Sequence, residues 1–301
     1  MNDPAQPTIS IRQEICKRDG LCAKLCPVRI FKTRGGEIPA VSRTEECVLC
    51  GQCVAGCPSG AIVNGGLDSR RLGRIEDRAP VTPEAAHAFI AQRRSVRNYR
   101  EQAPPRELLE KIIGIAGFAP GSPHHRVGWV RHFAVVSGEA QMRQVRGMTV
   151  EYVRKLHRLV TGFAIQMAAR FDESARAGVA VGPDLAMRLA EHDAGRDAIT
   201  YNAPTAIFAH APIGSSTPQV DCDAAMLSVM LLAQANGIGT CWNGLLQGAA
   251  AGDHVRGFTK LAELLGIPEG HKCYAAATVG YPAVRLHSLP PREVSITWIG
   301  V

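Results

Sequence analysis

Seven of the ten cysteines in this 301-residue chain lie between Cys16 and Cys57. Cys47, Cys50, Cys53 and Cys57 follow one another at gaps of two, two and three residues, and Pro58 comes next. Thiolate sulfur is a soft ligand suited to iron and zinc. Three thiolates at two-residue gaps wrap three irons of one cubane more readily than they surround one tetrahedral zinc, and the fourth in such a run reaches a second cluster. Structural zinc or a disulfide pairing is the lesser alternative.

The frame occurs twice. Cys16, Asp19, Cys22, Cys26 and Pro27 precede Cys47, Cys50, Cys53, Cys57 and Pro58 by 31 residues, and only Asp19 against Cys50 breaks the match. An internal repeat of this kind resembles the two-cluster bacterial ferredoxins, including those in which one ligand is Asp. The resemblance implies two 4Fe-4S clusters. Cys16, Asp19, Cys22 and Cys57 would hold the first, and Cys47, Cys50, Cys53 and Cys26 the second. Because carboxylate oxygen is a harder, weaker partner for iron, the alternative is that Asp19 is a solvated loop residue and its site carries a 3Fe-4S cluster.

A second chemical grouping is Arg93-Arg94-Ser95-Val96-Arg97. Guanidinium groups pair bidentately with phosphate oxygens, so the run suits a phosphate monoester, although taken alone it reads more readily as a solvated basic helix end. Beyond it come Ala119-Pro120-Gly121-Ser122, the apolar run from Asn202 to Phe208, Gly237-Ile238-Gly239-Thr240-Cys241-Trp242-Asn243-Gly244, Gly266-Ile267-Pro268-Glu269-Gly270 and Gly280-Tyr281-Pro282. In this order the words resemble the nitroreductase family over residues 84–301. Joined to the first part, they resemble the ferredoxin-nitroreductase fusions.

That resemblance implies FMN at a homodimer interface. Arg93, Arg94, Ser95 and Arg97 would hold its phosphate with Arg292, and backbone N–H groups at Asn243 and Gly244 would face the flavin. One stretch departs from the family pattern. Where Asn and Gln are usual, this chain has His124 and Arg126, which either meet the pyrimidine edge or belong to a loop rebuilt for another substrate.

The elements that must position these groups divide the chain. Residues 1–67 are Cys- and Gly-rich and read as the ferredoxin-like domain, the polar stretch 68–83 with Pro80 and Pro83 as a linker, and 84–301 as the FMN domain. After the linker Thr82 can cap a helix that has Pro83 at its first position. A further helix starts near Pro105, and others span residues 146–169, 184–192 and 224–235. Strands are expected at 132–136, 205–209, 273–279 and 294–299. The result is an α+β fold, a small ferredoxin-like domain followed by a nitroreductase-like sandwich that forms a homodimer. The scattered Cys222, Cys241 and Cys273 read as core packing.

A chain of this length buries roughly three quarters of its unfolded surface, so the cysteines are not needed as staples. No signal-like segment opens the sequence, which makes the cytoplasm the expected compartment. The uncharged stretch 224–252 is too interrupted by polar residues to span a membrane. The net charge of +7 is dispersed, without the aromatic-interleaved basic runs of nucleic-acid binders. A mildly basic surface would instead attract an acidic reductant such as a separate ferredoxin.

Clusters pass single electrons, whereas nitro groups and similar acceptors are commonly reduced by two, and a flavin does both. The expected function is therefore electron transfer from the clusters through FMN to an electron-poor small molecule. The alternatives are an electron-transfer or redox-sensing module with a degenerate flavin pocket, and an FMN reductase of enones, quinones or halogenated aromatics.

Overall fold

The computed structural model describes residues 8–67, 73, 75, 81–121, 131–251 and 259–300. Most of the expected linker, together with His124 and Arg126, lies outside the described residues. Backbone proximity separates two units, Met1–Ala79 with Pro120–Arg131 and Gly214–Asp221, and Pro80–Ala119 with His132–Ile213 and Cys222–Val301.

In the first unit the 31-residue repeat is also a repeat of backbone conformation. A 3-10 turn at Gln13–Ile15, and again at Thr44–Glu46, ends on the first cysteine of each copy. Gly20 and Gly51, at φ 70° and 74°, then turn the chain into helices α1 (Leu21–Leu25) and α2 (Gln52–Ala55). An L-residue is strained at that φ, which explains glycine at both positions. Strand β1 (Ile9–Ile11) pairs antiparallel with β4 (Ile62–Asn64), and β2 (Phe31–Lys32) with β3 (Ala40–Val41). Ile9, Ile30, Phe31, Val54 and Ile62 form the small core with Cys22, Cys47 and Cys53.

The second unit is built on an antiparallel sheet of β5 (His132–Ser137), β6 (Thr205–Pro212), β8 (His271–Gly280) and β7 (Gly239–Trp242), in that spatial order. Successive residues of a strand face opposite sides. Ile207, Ala209, Ala275 and Ala277 therefore pack with α4 (Arg106–Gly114) and α9 (Pro218–Ala235). Ala206, Phe208 and Ala276 pack on the other face with α5 (Glu139–Thr161), α8 (Gly182–Asp193) and α10 (Gly244–Ala249). The remaining helices are α3 (Pro83–Ala91), α6 (Phe163–Ala168), α7 (Glu173–Ala180) and α11 (Leu261–Leu264).

Thr82 caps α3 as expected, its hydroxyl accepting the Ala85 N–H at 3.2 Å. Three expectations are corrected. The helix read across 146–169 is two, because Gly162 adopts extended backbone (ψ 150°) between α5 and α6. Gly239–Trp242, absent from the expected strands, is strand β7. Residues 294–299 form no strand. Val294, Ile296 and Trp298 are 81%, 65% and 73% exposed, because alternation suits a strand only where a neighbouring edge accepts its hydrogen bonds. Among the described residues no helix is long and apolar enough to cross a membrane.

Candidate cofactor sites

The seven N-terminal cysteines are all thiols, none in a disulfide, and electrostatics sorts them into two groups. Burial pushes the Cys53 thiol up to about 11, reinforced by the nearby charges of Cys50, Cys47 and Cys26. Burial likewise raises Cys22, with Cys16 and Cys57 as the acting charges. Metal-free thiolates that oppose one another's ionisation are groups that a cationic core would relieve. Each group draws its last member from the other copy of the repeat, Cys26 and Cys57 in turn.

Burial also works to raise Cys57, but hydrogen bonds from Ser59 and from the backbone at Ala61, Ser59 and Ile62 outweigh it and lower this thiol. The Ala61 N–H stands 3.3 Å from its sulfur. In the second group the Leu49 N–H donates to Cys47 Sγ at 3.4 Å. The Asp19 carboxylate accepts the Leu21 N–H at 3.1 Å, ahead of α1. Among the described residues no three His, Cys, Asp or Glu side chains converge on a single ion. Ligands of a cubane bind different irons and have no such common point.

In the second unit the arginine run continues from α3 along the edge of β7. Ser95 bridges Thr240 in parallel, and the Val96 N–H donates to the Thr240 carbonyl at 3.0 Å. This approach needs Gly239, where a Cβ would stand 2.7 Å from Val96 Cγ2. Tyr99 continues the contact on β8, its hydroxyl 2.9 Å from Thr278 Oγ1. Between this segment, the end of α9 and the chain after β8 lies a cavity of about 640 Å³, with Arg93, Arg94, Arg100, Arg285, His287 and Gln234 in its wall. Arg94 Nη1 donates to the Ala91 and Arg93 carbonyls at 2.8 and 2.7 Å. Its Nε is buried with no hydrogen-bond partner among the described residues. Four guanidinium groups and a spare buried donor suit an anionic oxygen-rich group.

The site residues expected from the sequence do not all gather there. Arg93 and Arg94 line the cavity, whereas Arg97 is turned over the Tyr201 ring at 5.7 Å from its centroid. Ser95, Asn243 and Gly244 are not in the wall, and Arg292 is exposed beyond the cavity-lining segment, which ends at Leu289. The Asn243 N–H does not face a ligand. It donates to the Ala276 carbonyl at 2.8 Å, because this residue closes β7 against β8. Its side chain instead caps α10, accepting the Leu245 and Leu246 N–H groups at 3.1 and 3.0 Å. Arg100 stands close to the arginine run and was within reach of motif reading. Gln234, Arg285 and His287 carried no sequence signal.

Residues 90–281 match the nitroreductase family, and residues 8–58 match the 4Fe-4S dicluster domain. An uncharacterized ferredoxin of Methanocaldococcus jannaschii is 32% identical over 56 residues, which are 18% of this chain and 89% of the ferredoxin. Among solved structures, a Bacteroides fragilis nitroreductase with bound FMN superposes with a TM-score of 0.52 at 22% identity, covering 71% of this chain and 97% of its own. A Desulfitobacterium hafniense nitroreductase with bound FMN gives 0.50 at 23%, with the same coverage of each chain. At these identities the structures show a shared fold. The chain thus belongs to the nitroreductase family and carries a 4Fe-4S dicluster ferredoxin domain in front of its nitroreductase domain.

Proposed function

We propose that this chain is an iron-sulfur flavoprotein oxidoreductase that moves electrons from two ferredoxin-type clusters, through FMN, to an electron-poor small molecule of the nitroaromatic kind. The observation that carries this reading is the union, in one chain, of two grouped sets of thiols with a nitroreductase fold that holds a cavity walled by four arginines. Cys16, Cys22 and Cys57 with Asp19 hold one cluster, and Cys47, Cys50, Cys53 and Cys26 the other. When bound, FMN supplies the exchange between one-electron and two-electron transfer.

The chain's own residues supply position and charge. Arg93 and Arg94 fix the phosphate end, with the buried Arg94 Nε as the donor that phosphate would satisfy. Arg100 and Arg285 add positive charge at the same wall. In the first turn of α10 the Gly244 N–H has no hydrogen-bond partner among the described residues and remains available to a ligand. No side chain need act as general acid, since solvent supplies protons. Val294, Ile296 and Trp298 form an apolar arm whose exposure calls for cover by a second copy, in keeping with a homodimer. Free thiols suit a cytoplasmic setting, and the net charge of +7 suits an acidic ferredoxin as external reductant.

The test begins with anaerobic reconstitution, expected to give about seven or eight irons per chain together with one FMN. Chemically reduced protein should then be reoxidised by nitroaromatics, and a preference for enones, quinones or halogenated aromatics would redirect the substrate class. A cluster spectrum with no flavin would instead mark an electron-transfer or redox-sensing module. Arg93→Gln should weaken FMN about tenfold or more while sparing riboflavin, since a charge-assisted hydrogen bond is worth roughly 1.5–3 kcal/mol. Equal losses for both ligands would remove Arg93 from the phosphate site.

A further inference from the structure

Three histidines with no part in the sites above meet at one end of the four-stranded sheet. His132 opens β5, His210 lies near the end of β6, and His271 opens β8. Antiparallel pairing sets His132 opposite His210, and beyond the register shift at Ala209/His210 it sets His271 opposite Pro212. Pro212 and His210 are two residues apart and share a face of the strand, so all three rings come to the same side.

Their centroids are 5.4, 5.1 and 5.2 Å apart, a nearly equilateral triangle. Three imidazoles bound to one tetrahedral ion at about 2.0–2.1 Å place their centroids roughly 5.2 Å from one another. His210 Nδ1 and His271 Nδ1 stand 3.0 Å apart, close to the spacing of about 3.3 Å between two nitrogens on such an ion. A hydrogen bond accounts for the side between those two rings, and His132 meets them by stacking on His210 at an interplanar angle of 21° and edge-on to His271 at 60°, contacts that leave all three rings within reach of one ion.

We propose that His132, His210 and His271 form a binding site for a divalent first-row transition ion of the zinc class. Imidazole nitrogen is a suitable ligand for zinc, copper and nickel, and solvent would complete the coordination. His210 is the buried base of the site at 6% exposure, while His132 is exposed and forms the mouth. Burial first, then the neighbouring rings, shift both His210 and His271 downward, toward the neutral form. The one cationic neighbour on β8, Lys272, points to the opposite face and lies over the Tyr274 ring at 5.5 Å. As the rings stand, no three donors among the described residues converge on one ion. The exposed His132 ring, at the first residue of its strand, is the group that turns to close the third bond.

The test uses the full chain with its clusters loaded, so that the N-terminal thiolates are already occupied. After dialysis against micromolar zinc, metal analysis should find one zinc per chain, and zinc K-edge absorption should show nitrogen or oxygen neighbours with the outer-shell pattern of imidazole. His271→Gln should lose this zinc, and His132→Ala, an exposed change that spares the sheet core, should weaken it. No bound zinc in the wild type, sulfur-dominated absorption alone, or unchanged binding in a His210→Gln/His271→Gln variant would each overturn the assignment. The absorption spectrum of the wild type decides the question even where a variant fails to fold.

Discussion

In residues 8–67 three of the eight core residues, Cys22, Cys47 and Cys53, are the side chains expected to bind iron. In the sheet unit the largest buried side chains, such as Phe208, Ile112, Met142 and Met226, are apolar groups packed in the two cores that flank the sheet. The first region thus joins stability and function in the same atoms. The second builds its core from apolar surface and places charged groups at its edges. A region whose core is its ligand set should depend on the ligand to fold, whereas one with an apolar core should not.

Iron removal tests this difference with the largest effect. Stripping the clusters under oxidising conditions should leave the amides of residues 8–67 exchanging at unfolded rates, while those of α5, β6 and β8 stay protected. Retained protection in both regions would show that the small core stands without metal. The converse change is Phe208→Ala, which empties a fully buried site between β6 and the α5 side of the sheet. It should cost about 3–5 kcal/mol in denaturant unfolding of the sheet unit, with iron content unchanged. An effect below 1 kcal/mol would place the stability of this unit elsewhere.

A smaller effect is expected at Asp197, which organises the turn before β6. Its carboxylate accepts the Ile199, Thr200 and Asn202 N–H groups at 3.0, 2.8 and 2.9 Å and pairs with Arg146 at 3.0 Å. Burial works against this charge, but the Thr200 hydroxyl, the amides and Arg146 outweigh it and hold the carboxyl below its ordinary value. A lowered folded pKa means that stability is complete above the unfolded carboxyl pKa, near pH 4, and is lost as pH falls through the folded value. Asp197→Asn should cost about 1–3 kcal/mol at pH 7 and flatten the acid side of the stability profile. A profile parallel to that of the wild type would exclude this group as its source.

The smallest change in stability, though a visible one spectroscopically, is expected from Asp19→Cys. An all-thiolate first cluster should hold its iron longer on mild oxidation and give an altered paramagnetic signal after reduction, with the second cluster undisturbed. Identical spectra and identical iron loss would leave Asp19 as the turn residue that accepts the Leu21 N–H.

Legibility followed the same division. The cysteine frame and the capped start of α3 could be read in advance because each depends on neighbours a few residues away, whereas the left-handed turns at Gly20 and Gly51 came from the structure. The strands at β6 and β8 were legible because both of their faces are buried, which leaves continuous apolar runs. The break at Gly162 was missed because helical periodicity continues on both sides of it. Strand β7 was missed because its four residues carry too little pattern of their own and are defined by pairing with β8.

Cysteine spacing, with the resemblance it carries, pointed to the 4Fe-4S dicluster domain, since a metal-binding loop is a short-range object. Composition and motif order likewise announced a family and a fold. Tertiary structure decided which arginines share a cavity, turned Arg97 onto Tyr201, committed the Asn243 N–H to Ala276, and gathered His132, His210 and His271 at one end of a sheet. Those outcomes depend on strand register and on a one-residue irregularity in the pairing of β6 with β8, where Tyr274 is passed over. Register is settled by the summed packing of side chains far apart in the chain, and no local pattern of residues encodes it.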